Sequence, residues 1–178
     1  MSGTEITATN NGSVTADENG YFTFGNGKYF NFDSTVATGS SARTFILQAT
    51  ISDGNIQFID GGSRSGSMMF GLGWGRNSNK MFYHFWSNDN ASWLDLNAGS
   101  YVLAFVYNGS ALTVYKDGIV LGTYTTSLNT GTDYKYRIGQ YTCDDWYCQG
   151  EWKSKYCIVF DKALSAEEIQ YYTAIANS

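Results

Sequence analysis

Between Tyr101 and Tyr124 the chain alternates in three short runs broken at Asn108-Gly109-Ser110 and Asp117-Gly118. Asn-Gly and Asp-Gly tolerate the positive φ of hairpin turns, and β-branched and aromatic residues flank both, so the pattern predicts three strands joined by two tight turns. In the first run Tyr101, Leu103, Phe105 and Tyr107 fall on one face and Val102, Ala104 and Val106 on the other. Both faces are apolar, which predicts a strand inside a sheet and covered from both sides. In the second, Leu112 and Val114 alternate with Thr113 and Tyr115, giving one core face and one polar and aromatic face.

Elsewhere the same reading gives short strands separated by Gly, Asn, Asp and Ser. Residues 5–32 read as a meander, 33–42 as a surface crossing and Arg43 to Ile51 as the longest early strand, followed by a short strand from Ile56 to Asp60. The glycine-rich segment 61–79 leads into a dense strand, Met81 to Trp86, in which Phe82, His84 and Trp86 oppose Met81, Tyr83 and Phe85. Ser87 to Asn90 reads as a loop, Trp93 to Leu96 and Tyr136 to Ile138 as strands, 139–150 as a loop, and Glu151 to Phe160 as the last strand. Ser165-Ala-Glu-Glu168 is a capping box and starts a helix whose Ile169, Tyr172 and Ile175 are expected to face the sheets.

Composition supports an all-β chain of one domain over residues 1–178: 17% of the residues are aromatic, only 15% are charged, and 20 are Gly with no Pro. A net charge of −5 without clustered Lys and Arg argues against nucleic acid as a partner. There is no apolar run long enough to span a membrane, and the opening Met-Ser-Gly-Thr-Glu does not read as a signal peptide.

Three motifs then occur in order: the Tyr115-Lys-Asp-Gly118 hairpin, Arg137-Ile-Gly139, and Ile158-Val-Phe-Asp-Lys-Ala-Leu-Ser-Ala-Glu-Glu-Ile169. Together they resemble the concanavalin A-like lectin/glucanase superfamily in its laminin G-like, pentraxin-like branch, over about three quarters of the chain. The resemblance implies a two-sheet antiparallel jelly-roll β-sandwich with a short C-terminal helix, and ligand sites on a concave face or its rim. It does not itself imply a ligand.

Chemistry concentrates in Cys143-Asp-Asp-Trp-Tyr-Cys148. Asp144 and Asp145 offer the oxygens that calcium prefers, and they fall where the pentraxin-like relatives carry calcium ligands; two solvated acids are the alternative. Cys143 and Cys148 have the spacing to close a small disulfide ring, which would imply an oxidising or extracellular location, against three unpaired thiols otherwise. Trp74, Arg76, Trp86, Asn88, Asp89, Tyr141, Trp146 and Tyr147 are candidate ligand-binding residues, because flat rings beside short polar groups suit the apolar faces and hydroxyl rims of sugars. Trp74 and Trp146 are expected to be exposed. His84, the lone histidine, reads as a sheet or core residue.

The first functional reading is therefore a non-catalytic glycan-binding domain, with calcium as its candidate cofactor and a glycan or glycoconjugate as its partner. The second is a structural or adhesion domain of a surface or virion protein that binds a protein receptor. A glycoside hydrolase or polysaccharide lyase is the third, with Asp144, Asp145 and Glu151 as candidate carboxylates; the Glu-x-Asp-x-x-Glu strand of the superfamily's glucanases is absent.

Overall fold

Arg43 to Ile51, expected as the longest early strand, pairs antiparallel with Gly99 to Tyr107, which contains the doubly apolar run from Tyr101, in unbroken register from Arg43 opposite Tyr107 to Ile51 opposite Gly99. The computed structural model describes residues 7–32, 36–76, 79–142 and 150–176. Among these the chain forms β1 (Ala8–Asn11), β2 (Phe22–Phe24), β3 (Tyr29–Phe32), β4 (Arg43–Ile51), β5 (Ile56–Gly62), β6 (Gly71–Trp74), β7 (Lys80–His84), β8 (Asp89–Asp95), β9 (Gly99–Tyr107), β10 (Ala111–Lys116), β11 (Ile119–Thr125), β12 (Tyr134–Ile138), β13 (Trp152–Ser154), β14 (Cys157–Phe160) and one helix, α1 (Ala166–Ala176).

The strands make an all-β, two-sheet antiparallel jelly-roll sandwich. One sheet is ordered β1-β3-β12-β5-β6-β7-β8, the other β11-β10-β9-β4-β13-β2, with β14 also pairing β4. Phe45, Leu47, Leu103 and Phe105 from the second sheet meet Phe58, Phe70, Leu72 and Tyr136 of the first in the main core. Burying each such side chain contributes about 1.5–3 kcal/mol. The doubly apolar strand is covered twice, as expected. Leu103, Phe105 and Tyr107 enter the main core, while Val102, Ala104 and Val106 join Ile46, Tyr115, Leu164 and Ile169 in a second cluster beneath α1.

The turns obey local chemistry. Lys116 pairs with Ile119, leaving Asp117 (φ 50°) and Gly118 (φ 80°) as a two-residue turn with both residues left-handed. Asp117 Oδ1 also accepts from the Val102 N–H at 2.9 Å. Asp117→Ala removes that acceptor and puts a Cβ-branching-free but αL-averse residue in the turn; we expect a loss of about 1–2 kcal/mol in denaturant unfolding. The other turn works differently: Asn108 Oδ1 accepts from the N–H groups of Ser110 and Ala111, and only Gly109 is left-handed.

Four expectations are corrected. Residues 5–32 are not a simple meander, because β1 and β3 join the first sheet whereas β2 pairs β13 in the second. The last strand is two, β13 and β14, separated at Lys155-Tyr156. The glycine-rich segment contains a fully buried strand, β6. In α1 the capping box forms, with Glu168 N–H to Ser165 Oγ at 3.2 Å and Ser165 N–H to Glu168 Oε2 at 2.8 Å. Ile169 and Tyr172 pack inward, but Ile175 is 52% exposed and Thr173 and Ala176 take the inner face. The steps of four and seven from Ile169 stay on the packed stripe, whereas a step of six leaves it.

Candidate functional site

Three of the candidates, Trp86, Asp89 and Tyr141, gather around His84 on the face of the first sheet that points away from the main core. A register shift in β5 between Gln57 and Ile59 sends Phe58 and Ile59 both into the core and leaves Gln57 and Asp60 on the outer face. Beside them Leu72 and Trp74 face inward from β6 while Gly71 and Gly73 face outward. A Cβ on Gly71 would lie 2.5 Å from Asp60 Oδ2, and one on Gly73 would meet Ile56 O and the Phe82 ring at 2.3 Å. The glycines thus make room for a polar and aromatic layer lying close on the sheet.

Residues 139–142 cross this layer and are tied down by it. Gln140 Oε1 accepts from Gly27 N–H at 3.1 Å, and Arg137 Nη1 donates to the Tyr141 carbonyl at 2.8 Å. The Arg137 guanidinium also donates from Nε to Asn31 Oδ1 at 3.0 Å and lies 3.8 Å from the centre of the Tyr29 ring. Asp60 Oδ1 accepts from both the Thr142 N–H and the Thr142 hydroxyl, and Gln57 Nε2 approaches Asp60 Oδ2 at 3.3 Å. Asp60 is wholly buried, and that burial pushes its carboxyl up to about 7 against the lowering pull of Thr142 and Arg137.

Next to Asp60 along the same face, His84 links two elements. Its Nε2 is 2.6 Å from the Tyr141 hydroxyl and its Nδ1 is 3.0 Å from Asp89 Oδ1, which also accepts from Phe85 N–H. Burial lowers the imidazole pKa, with the Asp89 charge opposing and Arg76 assisting. Burial favours the neutral ring, whose Nε2 pairs with the Tyr141 hydroxyl, while Nδ1 stands 3.0 Å from Asp89 Oδ1 without an aligned hydrogen bond. Trp86 meets His84 edge-on at 5.6 Å, and the Arg64 guanidinium lies between the Trp86 and Tyr134 rings, 5.8 and 5.7 Å from their centres. Trp86 and Ser87 are both left-handed, φ 60° and 62°, a conformation that costs a bulky residue energy.

The structure therefore brings Trp86, Asp89 and Tyr141 together around His84. Arg76 is half-buried over the Phe82 ring at 5.9 Å. Asn88 turns to the sandwich edge, where its Oδ1 accepts from the Tyr124 hydroxyl at 2.9 Å. Trp74 does not join them: the expected exposed ring is 2% exposed, with its indole N–H donating to Leu96 O at 2.5 Å. The alternation of glycine with Leu72 and Trp74 puts the two large residues on the core side. Asp144, Asp145, Trp146, Tyr147, Cys143 and Cys148 lie outside the described residues. Among the described residues no group of three or more His, Cys, Asp or Glu is placed to hold a metal ion. Asp60, Gln57, Thr142 and Arg64 were not singled out from sequence; the only signal was an isolated Asp in an apolar run beside alternating glycines.

No family model and no curated protein matches the chain by sequence. Solved structures match its fold. One is of botulinum neurotoxin type C, a toxin whose uptake into cells depends on interaction with two ganglioside molecules; it aligns at TM-score 0.72 and 12% identity over 96% of this chain and 46% of its own. The binding domain of botulinum neurotoxin DC in complex with rat synaptotagmin II aligns at 0.69 and 12% over 96% and 46%. The binding domain of Paraclostridial Mosquitocidal Protein 1 aligns at 0.73 and 6% over 96% and 48%. The chain thus spans about half the length of each of these structures.

Proposed function

We propose that the chain is a non-catalytic, concanavalin A-like and laminin G-like sandwich domain that binds a glycan at the Trp86 edge of the first sheet's outer face, outside the cell or on its surface. The observation that carries this reading is Trp86 itself: a half-buried indole held at positive φ, with the Arg64 guanidinium over its ring and the His84–Asp89 pair at its edge. A sugar would stack its C–H face on such a ring and take donors from Arg64 and an acceptor from Asp89. The fold shared with a toxin whose cell entry depends on gangliosides and with a toxin binding domain in complex with synaptotagmin II supports a binding role. The polar groups of the layer also favour binding over bond cleavage, because the buried carboxylate Asp60 is engaged by Thr142 and Gln57.

A glycan array probed with the folded protein tests this. Trp86→Ala, which lies outside both core clusters, is expected to weaken glycan binding about tenfold or more while leaving the melting temperature within a few degrees. Absence of binding to any glycan by the wild type would overturn the reading. The same array with and without chelator tests calcium at Asp144 and Asp145: loss of signal assigns a cation to binding, and an unchanged signal removes it.

A second reading, binding of a protein receptor, is favoured by one feature, the β10–β11 turn, where Ile119 and Val120 are 73% and 53% exposed side by side. Capture of a protein partner that Ile119→Ser abolishes and Trp86→Ala does not would favour it.

A further inference from the structure

At the end of the sandwich away from Trp86, the two sheets part and leave a cavity of about 220 Å³ between β1, β3 and β12 on one side and β2, β13 and β14 on the other. Its wall is mainly Phe22, Phe24, Phe30, Phe32 and Ile138, with Cys157 beside them. The rings already pack edge to face, Phe22 with Phe30 at 5.6 Å and Phe24 with Phe30 at 5.4 Å, yet Phe22 and Phe30 stay only half-buried. In a domain that buries Phe24 and Phe32 nearly completely, that leaves aromatic surface facing space that no described residue fills. At the rim stands Lys155, exposed, with its ammonium 4.6 Å from the centre of the Tyr21 ring. Among the described residues no carboxylate pairs with it, whereas nearby Lys153 pairs with Asp17 at 3.0 Å.

We propose that this cavity is a binding site for a small aromatic carboxylate, with the ring among Phe22, Phe24 and Phe30 and the carboxylate at Lys155. The size commits the occupant: an apolar cavity of about 150 Å³ takes a benzene ring, so 220 Å³ takes a phenyl ring with a short alkyl arm. The wall supplies edge-to-face partners for a ring rather than a bed for a long chain. Lys155, the one cation among the described lining residues, selects an acid over an amine, and its exposure makes that contribution modest. The site is separate from the glycan reading and neither depends on the other, since Trp86 and this cavity share no residue.

The test is titration of methyl-labelled protein with 3-phenylpropanoate, followed by NMR. Ala8 and Ile138, both lining the cavity, are expected to shift in a saturable way, while Ile169 beneath α1 stays fixed. Lys155→Met is expected to weaken the acid about two- to fivefold and to leave the neutral 3-phenylpropanamide unchanged. Ala8→Trp, a substitution at an exposed position, is expected to abolish the Ile138 shift. No shift at Ala8 and Ile138 with millimolar acid would overturn the proposal. So would equal affinity of the wild type and Lys155→Met for the acid.

Discussion

Asp60→Asn is expected to remove a fall in stability between about pH 4 and pH 7 that the wild type shows. Asp60 starts from an ordinary carboxyl value of 3.8 and is pushed up to about 7 by burial. Between those values the native state keeps a proton that the unfolded state has lost, so stability falls as pH rises through the window and is fully present only below 3.8. A shift of that size amounts to about 4 kcal/mol across the window. His84 works the other way, since burial lowers its pKa and the unfolded state takes up a proton first as pH falls past 6.5. Asp17, Glu167 and Glu168, whose values are lowered, add stability that is lost only in acid. These groups are common to both proteins, so the difference between the two curves isolates Asp60. Asn keeps an acceptor for Thr142, and the variant is expected to gain on the wild type by up to that amount at pH 8 in urea unfolding. Parallel curves would show that Asp60 does not titrate in this range.

Arg43→Ala is expected to cost about 3–5 kcal/mol, the largest loss from any single side chain outside the main apolar core. Arg43 is fully buried, and its guanidinium lies between the Phe70 and Tyr107 rings, 4.7 and 4.9 Å from their centres. It donates to the Ala37 carbonyl at 3.2 Å and to Thr130 Oγ1 at 2.8 Å. Those bonds brace a junction where Gly39 and Thr130 exchange backbone hydrogen bonds at 2.7 and 3.0 Å. Removing the side chain opens a cavity between two rings and leaves the junction without its donor. Arg43→Met fills most of the space and removes a buried charge, so it is expected to lose less, about 1–2 kcal/mol. Unfolding in guanidinium chloride decides between these, and a loss below about 1 kcal/mol for Arg43→Ala would show that the two rings close the gap unaided.

Arg43 also marks where sequence reading stops. It begins a strand whose bounds were plain, yet nothing local says that its charge ends between Phe70 and Tyr107. His84 is similar: its strand was legible and Tyr141 was a candidate in its own right, but the contact between them across 57 positions was not legible. Asp60 and Thr142 stand 82 positions apart and meet only because β12 pairs β5. The Trp74 error has the same origin, because an indole in a glycine-rich segment reads as exposed until the opposing sheet is in place.

What the chain determined by itself is what local geometry controls. Arg43 to Ile51 read as a strand, the doubly apolar run of β9 required cover on both faces, Asp117-Gly118 fitted a left-handed turn, and Ser165 with Glu168 capped α1. The hairpin and the capped helix were also part of the resemblance that led to the expectation of a jelly-roll sandwich. Only the tertiary structure decided the site, for a physical reason: a one-residue register shift in β5 reverses which side chains face out, and bonds between distant segments form only where the sheets bring them within about 3 Å. The layer of Asp60, His84, Tyr141 and Trp86, and the cavity at Phe30, are products of that assembly.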